Sequence, residues 1–274
     1  MIRKLIRKAS NLFHPVLGEI WCLHRVVADR SIFPSNRALE ITPDYLEALI
    51  VKYQVEGFAF VGIDELLGSK PLFPQKRVNI SFDDGFRDIY HAAYPLFERY
   101  RIPFTVYLTT DFPEGKADIW WIQLEQCCPS AESFEAMMKQ IYESGKPMGE
   151  AMHILTGTQP DHRLCRSLSL SWAEIKEMVD SGLCTIGSHT VSHPGLTRIG
   201  KESVIHELTE SRRIIHERIG RDAIHLSYPH SMEDEAVRVV VTEAGYVSAT
   251  MGYGGRIRRG DDPFRLNRKY IVQE

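Results

Sequence analysis

Short apolar runs alternate with stretches of helical periodicity along most of the chain. Runs at 19–23, 58–63, 78–82, 104–108, 184–187, 223–227 and 247–250 have the length and the β-branched or aromatic content of buried strands. Between them, Thr42 and Pro43 open a helix with Tyr45, Leu46, Leu49 and Ile50 on one side, and residues 89–101 carry another apolar stripe. Ser171 and Glu174 have the spacing of a capping box for a helix ending near Gly182, and two more helices are predicted over 201–219 and 233–244. Strands and helices in strict alternation predict an α/β protein whose parallel sheet closes into a barrel. The pattern breaks from about 113 to 170, a span too long for a simple strand-to-helix connection, so an insertion on the barrel rim is expected there. That insertion carries a helical stretch over 134–142 and the adjacent Trp120 and Trp121, which either stack on sugar rings or pack the insertion onto the barrel.

The 274 residues suffice for one large domain, expected over 18–274, preceded by a basic segment over 1–17. In that segment Ile2, Leu5, Ile6, Ala9, Leu12 and Phe13 oppose Arg3, Lys4, Arg7 and Lys8, as in an amphipathic helix lying on a membrane surface or packed on the domain. It lacks the uninterrupted apolar stretch of a cleavable signal peptide, and the chain shows no run of about 20 apolar residues. A net charge of −3 gives no basic surface for nucleic acid. Five cysteines without paired Cys-x-x-Cys spacing read as reduced thiols, and a cytoplasmic location, peripheral to a membrane at most, is expected.

The candidate chemistry sits where two of the apolar runs end. Val78, Ile80 and Phe82 lead into Asp83, Asp84 and Gly85, two adjacent acids that core packing does not ask for and that a bound cation would compensate. About a hundred residues later a second run leads into His189 and His193, which can share one metal ion if the chain turns helically or in a suitable irregular turn. One carboxylate and two imidazoles are a common ligand set for a divalent ion such as Zn²⁺, leaving the second aspartate free as a base. An Asp-Asp-Gly or a His-x-x-x-His alone is a frequent accident; both following strand-like runs describe one rim of an α/β barrel.

The residues Ser81 to Gly85 and Ser188 to His193 resemble the first two motifs of the polysaccharide deacetylases of the NodB-homology type, carbohydrate esterase family 4. The resemblance implies a distorted (β/α)7-type, TIM-like barrel with fewer strands than the regular eight, Asp83 as general base, and Asp84, His189 and His193 as ligands of a divalent metal, with Zn²⁺ the expected ion. Leu226 to His230 resembles the family's third motif, which implies an oxyanion donor at the backbone N–H of His230 and substrate contacts at Tyr228 and Pro229. The motif departs from the family pattern at His230 and Ser231, and the arginine that orients the base in other members has no counterpart there. The family's C-terminal Leu-x-His, source of the general acid, likewise has no match in residues 264–271. The segment around His24 resembles the first strand of the circularly permuted branch, which includes deacetylases of poly-N-acetylglucosamine, and implies His24 as the acid.

The resulting expectation is a metal-dependent hydrolase that removes the N-acetyl group of an N-acetylated sugar. Trp120 and Trp121 join Tyr228 and Pro229 as candidate substrate contacts. Two alternatives stand beside it: a deacylase of a lipid-linked sugar or of a small amide, favoured by the basic N-terminal segment, and a silent carbohydrate-binding homologue. Binding alone requires neither base nor acid, so the pair Asp83 and His24 favours catalysis.

Overall fold

The computed structural model describes residues 15–68 and 74–274; the expected amphipathic segment at 1–17 lies almost wholly outside them. Seven parallel strands close a barrel: β1 Val16–Leu23, β2 Arg77–Phe82, β3 Phe104–Leu108, β4 Cys184–Ser188, β5 His225–Ser227, β6 Ser248–Gly254 and β7 Leu266–Tyr270. The ring runs β1-β2-β3-β4-β5-β6-β7 and returns to β1, because β1 pairs with both β2 and β7. Two short strands flank it: Ala59–Phe60 lies parallel to β2, and Arg256–Arg258 lies antiparallel to β1.

The expected strand at 58–63 is thus a two-residue flank, and the barrel is completed instead by β7, which the apolar pattern does not mark. The reason is chemical. Only Leu266 in β7 is aliphatic, whereas Asn267, Arg268 and Lys269 break any apolar run. Alternation still holds, since Leu266 and Arg268 are buried while their neighbours are partly exposed.

Helices cover the outside: α1 Pro43–Val55, α2 Tyr94–Tyr100, α3 Ala131–Glu143, α4 Met148–Thr156, α5 His162–Leu168, α6 Trp172–Asp180, α7 Lys201–Ile219 and α8 Glu235–Glu243. Pro43 opens α1 behind the Thr42 side chain, which accepts from the Tyr45 N–H. The capping box of α6 forms in both directions between Ser171 and Glu174. Helices α1, α2 and α6 bury Leu46, Ile50, Phe97, Ile175 and Met178 in one continuous core with the faces of β1 to β4. No helix of the described residues is long and apolar enough to cross a membrane.

Residues 109–170 hold α3, α4 and α5 and a second apolar core that includes Phe112, Trp120, Trp121, Phe134, Met152 and Cys165. Phe86 and Phe33, from elsewhere in the chain, pack into that same core. Because Phe86 follows Asp83 and Asp84 by only a few residues, the second core clamps the segment that leaves β2.

The turn after β2 depends on Gly85. Its φ is 109°, and a Cβ there would lie 2.5 Å from Leu108 Cδ1. Gly85→Ala is expected to cost about 1–3 kcal/mol, read as a lowered urea midpoint at unchanged slope; an unshifted midpoint would show that the turn relaxes freely.

Candidate metal centre and catalytic rim

Parallel strands with matched register present their C-terminal ends as one rim, and the candidate residues lie on it. Leu23 on β1 pairs with Phe82 on β2, so His24 and Asp83, the next residue of each strand, sit side by side; the Asp83 N–H donates to the Leu23 carbonyl at 3.0 Å. Ser188 on β4 pairs with Leu226 on β5, which sets His189 beside the segment that carries Tyr228 to His230.

The two adjacent acids are separated by backbone geometry. Asp84 has φ of 73°, in the left-handed region, so the chain turns between Asp83 and Asp84 and their carboxylates meet different partners. Asp83 points into the barrel and forms a bidentate ion pair with Arg268: Nη1 donates to Oδ1 at 2.7 Å and Nη2 to Oδ2 at 2.6 Å. The Ser227 hydroxyl also donates to Oδ2, at 3.2 Å. Arg268 is held in turn, with Nε donating to the Met251 carbonyl at 2.7 Å and Nη1 to the Ser81 hydroxyl at 3.1 Å. Burial works to raise the Asp83 pKa, but the guanidinium outweighs it and holds the carboxyl well below the usual carboxylate range.

Asp84 faces the imidazoles. Its Oδ1 lies 3.5 Å from His189 Nε2 and 3.2 Å from His193 Nε2, and one ligand atom from each of the three residues falls within 4.8 Å of the others. Asp84 Oδ1 is buried and makes no hydrogen bond. Burial raises the Asp84 pKa too, and the adjacent imidazole of His193 more than offsets it, so this carboxylate is ionised.

His189 Nδ1 lies 2.8 Å from the Ser227 carbonyl. A carbonyl only accepts, so Nδ1 carries the proton and Nε2 presents its lone pair toward Asp84. Burial pushes the His189 pKa down to about 4, which keeps that lone pair free at neutral pH. An ionised oxygen with no donor, facing an imidazole lone pair in a buried site, is a repulsive arrangement that a cation relieves. The donor set, one oxygen and two nitrogens, fits a divalent ion such as Zn²⁺. The loop between the imidazoles is irregular rather than helical, with positive φ at Thr190 and His193, and Glu207 secures it by accepting from the N–H groups of Val191 and Ser192.

A cleft of about 580 Å³ opens over this rim. His24 lines it, with a ring nitrogen within 4.8 Å of an Asp83 oxygen and its Nδ1 buried without a hydrogen-bond partner. Burial lowers the His24 pKa, while Asp84 and Asp83 act in the opposite direction. His230 also enters the cleft, at φ of 56°, its ring 4.6 Å from that of His193 and its Nδ1 3.4 Å from the Tyr142 hydroxyl. Burial and the neighbouring imidazoles keep it neutral.

The expected sugar contacts fall differently. Trp120 and Trp121 line the cleft but are only 3% and 5% exposed, packed in the insertion core with Trp121 against His193. Neither offers an open face for stacking, whereas Tyr142 and Tyr253, which also line the cleft, are 40% and 58% exposed. Tyr228 is buried and its hydroxyl donates to the Phe264 carbonyl at 2.9 Å, so it braces the loop; Pro229 is buried beside it. Arg268 was not found from the sequence. An arginine paired with Asp83, without a counterpart in the third motif, comes here from β7, and its only sequence signal is one buried-phase charge in a short alternating segment.

Removing Arg268 leaves a buried carboxylate unpaired. Arg268→Ala is therefore expected to lose about 3–5 kcal/mol, and Arg268→Lys, which keeps charge but not the fork, to recover only part; equal stability of all three proteins by denaturant titration would contradict the ion pair's role. His189 sets the acid response of the metal-free protein. Its folded pKa lies below the unfolded value, so its stabilising contribution is present above about 6.5 and lost as pH falls toward about 4. Melting temperature in chelator should fall across that window, and less steeply in His189→Gln, where His24, His225 and His230 still contribute; an unchanged slope in the variant would exclude His189.

A family model for polysaccharide deacetylases matches residues 70–249. YxkH of Bacillus subtilis (strain 168), whose name places it among candidate polysaccharide deacetylases, is 21% identical over 194 residues, 71% of this chain. The chain spans about half the length of that curated relative, 51%. Among solved structures, the Streptococcus pyogenes deacetylase PplD in complex with acetate superposes with a TM-score of 0.69 at 19% identity, over 93% of this chain and 92% of that one. IcaB from Ammonifex degensii gives 0.67 at 20%, over 93% and 91%. Such identities speak to the fold, and both structures share it. The family match begins after His24 and ends before Arg268, so the first and last barrel strands add to the rim from outside it. Covering both the acid pair and the imidazole pair with the strands that carry them, a match of that length makes the chain a member of the polysaccharide deacetylase family.

Proposed function

We propose that the chain is a metal-dependent N-deacetylase of an N-acetylated sugar within a glycan. The observation that carries the reading is the division of labour at one strand end: Asp83 is held ionised by Arg268, while Asp84 faces two imidazoles with an oxygen that has no donor. Asp84, His189 and His193 are the ligands in this reading, and Zn²⁺ is the ion their chemistry suits best. When bound, such an ion polarises an acyl carbonyl and lowers the pKa of water beside it.

The rest falls to the chain's own side chains. Asp83 accepts the proton of the attacking water. Its depressed pKa means that it does not retain the proton but passes it to the neutral imidazole of His24, within 4.8 Å, which delivers it to the departing amine. Burial lowers the His24 pKa, so the resting imidazole is free to receive that proton and, once charged, releases it readily. The backbone N–H of His230 is the proposed oxyanion donor; the turn that aims it is fixed by Ser231, whose hydroxyl accepts from the Gly252 N–H at 2.7 Å. Bond to bond, water adds to the acyl carbon, the C–N bond breaks, and acetate and a free amino sugar leave.

The cleft supports a saccharide as substrate. It is lined by aromatic rings, with Tyr142 and Tyr253 exposed, and Ser35 adds a half-buried polar group. A merely binding homologue has no use for a charge-locked carboxylate beside an unpartnered imidazole.

Acetate release from N-acetylglucosamine oligomers tests the reading. Asp83→Asn and His24→Ala are each expected to lower kcat by about 10²–10⁴-fold, whereas His230→Ala, which keeps its backbone N–H, should cost far less. If His230→Ala proves the more damaging of the two histidine variants, the acid role passes to His230. Oligomers that bind metal-loaded protein with no amide ever cleaved would establish a binding protein instead.

A further inference from the structure

The cleft contains a second group of metal-capable atoms, distinct from the Asp84 centre. Cys22 and His24 are two residues apart at the end of β1, so the pleat directs both side chains to the same side. The β1–β2 register then brings Asp83 beside them. Cys22 Sγ, a ring nitrogen of His24 and an oxygen of Asp83 all lie within 4.8 Å of one another, with Sγ 3.9 Å from Asp83 Oδ2. Ligands about 2.0–2.3 Å from a tetrahedral ion stand roughly 3.3–3.8 Å apart, so a small contraction would close the triangle. His24 Nδ1 is buried with no hydrogen-bond partner.

We propose that Cys22, His24 and Asp83 form a second, inhibitory metal site that takes a thiophilic ion: Zn²⁺ in excess, Cd²⁺ or Cu⁺. The sulfur ligand sets the class, because Mg²⁺, Ca²⁺ and Mn²⁺ prefer oxygen. Arg268 already donates to both Asp83 oxygens and repels a cation, yet Oδ1, unlike Oδ2, does not also accept from Ser227 and keeps a second lone pair, and departure of the Cys22 thiol proton to solvent supplies a compensating negative charge. Burial raises the Cys22 pKa, so that proton leaves only when a metal replaces it. The site is accordingly weaker than the Asp84 centre and fills after it. Once filled, it engages the proposed base and the proposed acid together, and neither transfers a proton. That consequence rests on the proposed roles of Asp83 and His24; the binding itself does not.

The full chain, first loaded with one equivalent of Zn²⁺, is titrated with Cd²⁺ as the probe. Thiolate-to-cadmium charge transfer is followed in the ultraviolet, and acetate release is measured on the same samples. Wild type is expected to gain the sulfur band with the added cadmium and to lose turnover in step with it. Cys22→Ser should keep its turnover before cadmium, show no band, and require at least roughly 10–100-fold more cadmium for inhibition. Cadmium that merely exchanges into the Asp84 centre gives no sulfur band, since that centre has no cysteine. Absence of the band in wild type overturns the site, as does equal inhibition of both proteins. A band that survives in Cys22→Ser belongs to another thiol, such as Cys127 or Cys128, and overturns it too. Should wild type release no acetate at all, the Cys22-dependent band still decides the site, independently of the deacetylase reading.

Discussion

Two carboxylates on successive residues at a buried strand end cannot both ionise unless each meets its own positive partner, and the barrel is arranged around that constraint. Asp83 meets Arg268 from β7, the last strand, whereas Asp84 faces two imidazoles from the loop after β4, where the proposed metal ion is the positive partner. The left-handed conformation at Asp84 and the turn at Gly85 aim the two groups apart. Without the ion pair, the desolvation cost of Asp83 alone, several kcal/mol for an uncompensated buried charge, would drive it to the neutral acid and remove the proposed base from the rim.

The same interaction ties the last barrel strand to strands from earlier in the chain. Arg268 touches Ser81 on β2, Met251 on β6 and Ser227 on β5, so the polar column inside the barrel is assembled from four strands. Ser227 has a double part: its hydroxyl donates to Asp83, and its carbonyl fixes the His189 tautomer. The proposed base and the proposed ligand set are thereby coupled through one short strand. A disturbance of β5 is felt by both.

Much of the fold and the ionisable part of the rim were legible because they depend on local pattern. Apolar runs located six of the seven barrel strands, capping residues located α1 and α6, and acids or imidazoles just beyond strand ends marked Asp83, Asp84, His189 and His193. What escaped depends on long-range partners. The strand Leu266–Tyr270 is polar in composition and is held by its neighbours rather than by its own apolar residues, so Arg268 gave no local sign of its role. Trp120 and Trp121 were ambiguous because adjacent tryptophans read the same whether they face a ligand or a core; Phe33 and Phe134, far apart in sequence, supply that core. The run at 58–63 has strand composition, but β1 pairs with β2 along five residues and leaves only Ala59–Phe60 to flank it.

The central claim is the division between Asp83 and Asp84, and calorimetric titration of metal-free protein with Zn²⁺ tests it most directly. The account predicts one tightly bound ion per chain in wild type and in Asp83→Asn, and loss of that binding in Asp84→Asn. Loss of the ion in Asp83→Asn with retention in Asp84→Asn would contradict it.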